Sequence, residues 1–369
     1  MEKMRLSTSS KFPEPPSDLV WIQTAFLGDV ILNTGAFDLA SRRFPGVKQH
    51  VVTTAVGASV LEGLDCIAST VTFDKRKIGF LAALKKVSRH LQENLSDSSR
   101  TVILQPHRSF RSSLLARFLG FPVATYFETN LGFFGRRVPR VGVFHEAVRS
   151  ALPLELLGVS REDICGVKPR LGVRQSDPLI AWQTNVASIR RTAGSQLIAI
   201  APGSQWGTKR WTPAGYAELA VKLLADSKSP ATNVLIVGSP EEKELCDQIA
   251  GAIGSHPRLH NLAGKTSIND LRFLIPKLDL LVGNDSSPVQ FASAFNVPTV
   301  AIFGATTPAM GFGPLASNSR VVEMKLSCRP CSDHGPMVCP LAHFKCMRDL
   351  TADRIFSVCI EVLSHRILR

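Results

Sequence analysis

Along almost the whole of this 369-residue chain, apolar runs ending in glycine, aspartate or serine alternate with amphipathic stretches. The strand-like runs are continuously apolar rather than alternating. In the first half they are Leu19-Val20-Trp21-Ile22-Gln23, Val51-Val52-Thr53-Thr54, Thr101-Val102-Ile103-Leu104-Gln105 and Pro122-Val123-Ala124-Thr125-Tyr126. The pattern restarts after about residue 190, with runs at 197–201, 233–237, 278–282 and 299–303. Helical spacing falls between them, at 29–40, 80–84, 114–119, 213–226, 241–253, 267–276 and 287–296. A strand that is apolar at every position is buried on both faces, the condition of a parallel sheet covered by helices on each side. The two runs flank a polar stretch near 174–196. The expected architecture is therefore α/β: two Rossmann-like domains at 18–175 and 197–350, joined by a linker at 176–196. A flexible tail at 1–17 precedes them, and a C-terminal helix within 351–369 is expected to pack back on the N-terminal domain. Ligands of such folds sit beyond the carboxyl ends of the strands, which here points to the cleft between the domains.

Composition narrows the partners. The length exceeds the usual size of a single core, and 44% hydrophobic with 20% charged residues describes a globular chain. Residues 1–17 are polar and proline-rich, without the apolar core of a signal peptide. No stretch approaches the roughly 18 apolar residues of a membrane-spanning helix, so a cytoplasmic protein, soluble or peripheral on a membrane, is expected. The net charge of +13 asks for an anionic partner. Its carriers are dispersed, among them Lys75-Arg76-Lys77, Lys85-Lys86, Arg108, Arg111, Arg136-Arg137 and Lys209-Arg210. No zinc-finger, RNP or homeodomain pattern accompanies them and aromatics make up 7%, which disfavours nucleic acid. An acidic membrane surface or acidic substrate fits better.

Four turns carry the chemistry, three in the second half and one in the first. Gly203-Ser204-Gln205-Trp206-Gly207-Thr208-Lys209-Arg210-Trp211-Thr212 follows a buried strand and precedes a helix with Pro213 in its first turn. Backbone N–H groups, a helix dipole and two adjacent cations there suit a phosphorylated ligand; an ordinary turn with a solvated Lys-Arg pair is the plain alternative. Asn284-Asp285-Ser286-Ser287-Pro288 and Phe303-Gly304-Ala305-Thr306-Thr307-Pro308 repeat the arrangement. Three such turns around one sheet edge point to a nucleotide-diphosphate pocket. In the first half, Gln23-Thr24-Ala25-Phe26-Leu27-Gly28-Asp29 closes the first strand. Asp29 reads either as the cap of the next helix or as a general base for a sugar hydroxyl. Other phosphate motifs fail: Leu259 stands where a P-loop ending in Gly264-Lys265-Thr266 needs its first glycine, no Gly-x-Gly-x-x-Gly opens a βαβ unit, and no Asp-x-Asp occurs.

Together these residues resemble the ADP-heptose:lipopolysaccharide heptosyltransferases of glycosyltransferase family 9 over about residues 19–360. The resemblance is carried by 23–29, 201–211, Asn284-Asp285-Ser286 and Ile302-Phe303-Gly304-Ala305-Thr306, with lesser marks at Leu104-Gln105-Pro106-His107-Arg108-Ser109 and 261–266. It implies the GT-B fold, no required cofactor, and metal-independent transfer of heptose from ADP-heptose with inversion. Asp29 matches the family's base and Lys209 its cation on the donor phosphates. The expected donor residues are Gly203, Ser204, Thr208, Arg210, Asp285, Ser286, Ser287, Gly304 and Thr306. The expected acceptor residues are Thr24, Phe26, Gly28, Arg108 and Arg111, the arginines facing a lipid A–Kdo inner core. The protein is expected to be a monomer on the cytoplasmic face of the inner membrane. Where the family has Gly and His after Asn-Asp-Ser, this chain has Ser287 and Gln290. The other readings are a GT-B nucleotide-sugar 2-epimerase, which lacks the 23–29 turn, and a non-catalytic nucleotide-sugar- or glycan-binding descendant.

Eight cysteines are too few for a disulfide scaffold. Cys328, Cys331, Cys339 and Cys346, with His334 and His343 among them, lie within 19 residues. A structural zinc site, a redox-sensitive loop or reduced thiols all fit that spacing.

Overall fold

A computed structural model describes Phe12 and residues 15–129, 134–173, 195–226 and 231–364. It divides into two compact units, Met1–Val141 with Ala147–Val167, and Gly142–Glu146 with Lys168–Arg369. Most of the polar stretch expected as a linker, and most of the tail, lie outside the described residues.

The first unit is built on strands β1 Asp18–Gln23, β2 Lys48–Thr53, β3 Ser69–Thr72, β4 Thr101–Leu104, β5 Val123–Tyr126 and β6 Arg136–Val138, in the order β3-β2-β1-β4-β5-β6. All pairings are parallel. Its helices are α1 Leu27–Arg43, α2 Ala55–Leu61, α3 Lys75–Ile78, α4 Phe80–Asn94, α5 Phe110–Leu119, α6 Glu146–Ala151 and α7 Arg161–Cys165, although α6 begins in the short segment grouped with the second unit. Hydroxyl caps start several of them: Thr54 accepts from Gly57 N, Ser109 from Ser112 N and Ser160 from Asp163 N. Ala83, Val87 and Leu91 of α4 recur every four residues and enter one core with Val20, Ile22, Val52 and Ile103.

The second unit repeats the plan. Strands β7 Gln196–Ala201, β8 Thr232–Ile236, β9 Leu259–Asn261, β10 Leu280–Asn284, β11 Thr299–Phe303 and β12 Ser319–Glu323 run in the order β12-β11-β10-β7-β8-β9, again all parallel. Helices α8 Pro213–Ala225, α9 Lys243–Ile253, α10 Ile268–Leu274, α11 Ser287–Ala294, α12 Lys345–Arg348 and α13 Ala352–Ser364 complete it. Thr212 caps α8 by accepting from Gly215 N at 3.1 Å, and Pro213 occupies the position where its missing N–H costs nothing. Numbered within each unit, both sheets follow the dinucleotide-fold order 3-2-1-4-5-6, which reverses direction between the first and fourth strands.

The C-terminal helix departs from expectation. Helix α13 packs on α8 and on β10, β11 and β12 of its own unit, burying Ile355, Cys359, Val362 and Leu363 in the second core. Ile355, Val362 and Leu363 contribute about 1.5–3 kcal/mol each on burial, so the helix's apolar stripe is consumed in the second unit. Among the described residues no helix is long and apolar enough to cross a membrane.

Candidate functional site

In the second sheet the direction reverses between β7 and β10, and the three ligand-friendly turns leave β7, β10 and the adjoining β11 at their carboxyl ends. Asn284, fully buried as the last residue of β10, ties the first two together. Its Oδ1 accepts from Trp211 N and Tyr216 Oη, each at 3.0 Å, and its Nδ2 donates to Pro202 O at 2.7 Å. The next residue begins the charged part of the site. Lys209 Nζ lies 2.7 Å from Asp285 Oδ2, which also accepts from Thr306 Oγ1 at 2.7 Å. The Lys209 and Asp285 side chains are 13% and 6% exposed. One residue from each turn thus meets at a single carboxylate oxygen. Low exposure strengthens the attraction and makes the loss of either partner costly.

The remaining donor-side residues divide by what their polar groups do. A β-carbon at Gly203 would overlap the Glu242 carboxylate and push that side chain aside. Ser204 is buried, and its carbonyl accepts from Arg210 Nε at 2.8 Å, so Arg210 braces its own turn. Thr208 is buried and donates to Pro336 O. Ser286 is the N-cap of α11 and Ser287 its first residue, with no side-chain cap bond. At Gly304 a β-carbon would come within 2.7 Å of Thr208 O. Gln290, further along α11, is buried and donates from Nε2 to Phe312 O at 2.9 Å.

The cysteine-rich segment is a strap over these turns, with Thr208 N bonding Pro336 O and Cys331 N bonding Ala305 O. Among the described residues no group of three or more His, Cys, Asp or Glu is arranged to hold a metal ion, and all eight cysteines are free. Cys346 is turned into the apolar core of the second unit beside Met347 and Leu350, where burial pushes its thiol up to about 11. Cys331 Sγ donates to Cys328 O, and Cys328 Sγ lies 3.9 Å from His343 Nε2. The ring of His334 stacks on Trp206 at 6.2 Å between centroids. Between Cys328 and Cys331, Arg329 was not singled out by the sequence, yet it organises the β11 turn. Its guanidinium donates to the carbonyls of Phe303, Gly304, Thr306 and Met324 and pairs with Glu323 at 2.8 Å.

The first sheet also reverses direction, between β1 and β4, and the turns after these strands meet there. Thr24 Oγ1, Ser112 Oγ and His107 Nδ1 form a triangle with sides of 3.0–3.1 Å. Burial, and then the nearby charges of Lys75 and Arg108, push the His107 imidazole down from 6.5 to about 4. It is neutral at physiological pH, with one nitrogen engaged by two hydroxyls. Arg108 and Arg111, beside it, are exposed, and Phe26 is 56% exposed. Gly28 and Asp29 are half-buried in the first turn of α1. Phe26, not Asp29, is the N-cap residue, and its own side chain makes no cap bond. At the third helical position the Asp29 carboxylate still faces the positive end of the dipole. His107 was legible only as part of a family phrase, and nothing in its spacing marked the hydroxyls it holds.

The chain matches the family model for glycosyltransferase family 9 (heptosyltransferase) over residues 88–340. It is 31% identical to lipooligosaccharide heptosyltransferase 2 of Campylobacter jejuni over 175 residues, 47% of this chain and 52% of the relative, so that match spans about half of the relative's length. It is 32% identical to lipopolysaccharide heptosyltransferase 2 of Escherichia coli over 324 residues, 82% of this chain and 87% of the relative. Among solved structures, the ADP-heptose lipopolysaccharide heptosyltransferase II of Escherichia coli superimposes with a TM-score of 0.73 at 20% identity, covering 95% of this chain and 99% of that one. The last likeness establishes the fold.

Proposed function

Because the chain belongs to glycosyltransferase family 9, the heptosyltransferases, we propose that it moves a heptose from ADP-heptose to the phosphorylated inner core of a lipopolysaccharide. The family supports the reaction class, and the two relatives that act on lipooligosaccharide or lipopolysaccharide support the acceptor class. The observation that carries the donor assignment is the convergence of Lys209, Asp285 and Thr306 at the carboxyl ends of β7, β10 and β11.

In this reading the reaction is an in-line displacement. Asp29 takes the proton of an acceptor hydroxyl as its oxygen bonds to the anomeric carbon. The bond to the diphosphate breaks on the opposite face, inverting the centre. Negative charge then gathers on the departing ADP, where Lys209 and the turn amides meet it, the role of preorganised donors at a developing anion. Asp285 holds Lys209 in place before the donor arrives and orients toward the sugar. Thr24 and Phe26 with Arg108 and Arg111 serve the acceptor, the arginines meeting its phosphates. The basic net charge suits a protein that works peripherally at the cytoplasmic face of an anionic membrane.

Two variants test the assignment, with donor binding and transfer measured separately on a truncated lipopolysaccharide acceptor. Asp29→Asn keeps donor binding and loses about 10²–10⁴ in turnover, the usual contribution of a general base. Lys209→Ala loses both. Wild-type turnover in Asp29→Asn refutes the base, and unchanged donor affinity in Lys209→Ala refutes the phosphate contact.

A further inference from the structure

Away from the turns described so far, a hollow of about 370 Å3 opens between α4 and β3, the edge strand of the first sheet. Its lining includes Val71, Lys85, Lys86, Arg89, His90 and Glu93. Lys85, Lys86 and Arg89 share one side of α4, because residues three and four apart lie on successive turns of one face. The opposite face, with Ala83, Val87 and Leu91, is buried. Like charges at these spacings destabilise a helix, and among the described residues none of the three cations has an acidic partner within 4.0 Å.

The neighbouring polar groups do not offset this charge. Lys86 Nζ donates to Thr72 Oγ1 at 2.6 Å, a neutral partner. His90 Nε2 lies 2.9 Å from Ser69 Oγ, which is 2.8 Å from His50 Nδ1, and His50 Nε2 is 3.0 Å from Asp18 Oδ1. The Asp18 carboxylate at the end of that chain is buried and already accepts from Ser96 N and Asp97 N. It fixes the His90 ring through the relay without placing negative charge in the hollow. Glu93 is the one carboxylate of the lining, against three cations. Leu81, which precedes the lining residue Ala82 in α4, is 76% exposed, and Ile78, at the end of α3 just before it, is 47% exposed.

We propose that this hollow binds the phosphate group of an anionic ligand, a phosphate monoester or diester. Three cations on one face and a fixed imidazole are donors that a phosphate recruits. A volume well above that of one ion leaves space for the group that bears it. The exposed Ile78 and Leu81 favour a lipid headgroup as bearer, because apolar side chains beside a basic patch lower into a headgroup region while the cations meet phosphate. The site is separate from the transfer chemistry and stands or falls independently of it.

The test uses the full chain, vesicles of phosphatidylglycerol with phosphatidylcholine or of phosphatidylcholine alone, and soluble glycerol phosphate read by thermal shift. Binding of the wild-type protein to phosphatidylglycerol vesicles is expected to fall about a hundredfold in Lys85→Gln/Lys86→Gln/Arg89→Gln, the loss expected for three cations at an anionic bilayer. The charge-conserving Lys85→Arg/Lys86→Arg/Arg89→Lys retains it, and circular dichroism confirms that both variants fold. A rise in melting temperature with glycerol phosphate, absent in the neutralised variant and without vesicle preference, supports the same site with a soluble ligand. Binding of either probe undiminished in the neutralised variant, or no binding of either probe by the wild type, overturns the proposal. Vesicle binding is read without donor or acceptor, so failure of the donor assignment and failure of this one are separable.

Discussion

Asp285 Oδ2 takes both the Lys209 ammonium and the Thr306 hydroxyl in a nearly dry setting, so stability and chemistry are entangled at this residue. Replacing Lys209 alone by methionine strands a buried carboxylate, at a cost of about 3–5 kcal/mol. The double variant Lys209→Met/Asp285→Asn removes both charges and should recover most of that loss in urea denaturation while transfer stays abolished. Recovery of transfer along with stability would show that Lys209 serves the fold alone. His107 offers a second measurement. Its folded-state value of about 4 lies below the 6.5 of the free side chain, so between those limits the unfolded chain takes up a proton that the folded one refuses. Stability should therefore be full above about pH 6.5 and fall as the pH drops toward 4, by up to about 3 kcal/mol. His107→Gln should flatten that slope, and an unchanged profile would place the proton uptake elsewhere. At this scale the sequence disclosed the residues whose neighbours in the chain mark them, such as Lys209 in its glycine- and hydroxyl-rich turn. Arg329 stayed hidden, and Asn284 was marked only as the start of its turn, because what defines them is a set of carbonyls and amides drawn from distant turns.

The turn after β11 is as sensitive as the charged residues it supports. A methyl group at Gly304 would press on Thr208 O at 2.7 Å and on Met347 Cε at 2.5 Å, backbone and core that cannot both yield. Gly304→Ala is expected to cost about 1–3 kcal/mol as overpacking does and to weaken donor binding, because Thr306 rides on the same turn. A calorimetric donor affinity equal to wild type would show that the turn absorbs the methyl group. Element by element, the central strands of both sheets were legible as unbroken apolar runs, and the 299–303 run became β11 without change. The strands that left no such trace are β3, β6, β9 and β12, and these four are the edges of the two sheets. An edge strand is flanked on one side only, so Ser69-Thr70-Val71-Thr72 or Leu259-His260-Asn261 can stay polar without stranding buried groups. The C-terminal helix was read as present but sent to the wrong core. Its periodicity fixes the width of its apolar stripe and says nothing about which sheet receives it.

For the molecule as a whole, the repeated strand order of the two sheets follows from the restart of the strand–helix pattern after residue 190. The charge of +13 is a property of the entire chain, and it predicts a salt-dependent encounter with anionic bilayers. Vesicle association measured at about 50 mM and 500 mM salt should weaken steeply as the screening length contracts. Affinity that is indifferent to salt would point to apolar insertion as the dominant force. What the chain reads least clearly from sequence is how its ligand-facing turns are fastened to each other, and there one feature has practical weight. Asn284 answers simultaneously to the backbone before the 203–212 turn, to Trp211 within it and to Tyr216 beyond it. Anyone seeking a new sugar preference by exchanging that turn with a relative's will have to carry Asn284 and Tyr216 across as well. These pieces form the smallest transplantable cassette, and natural recombination between family members faces the same restriction.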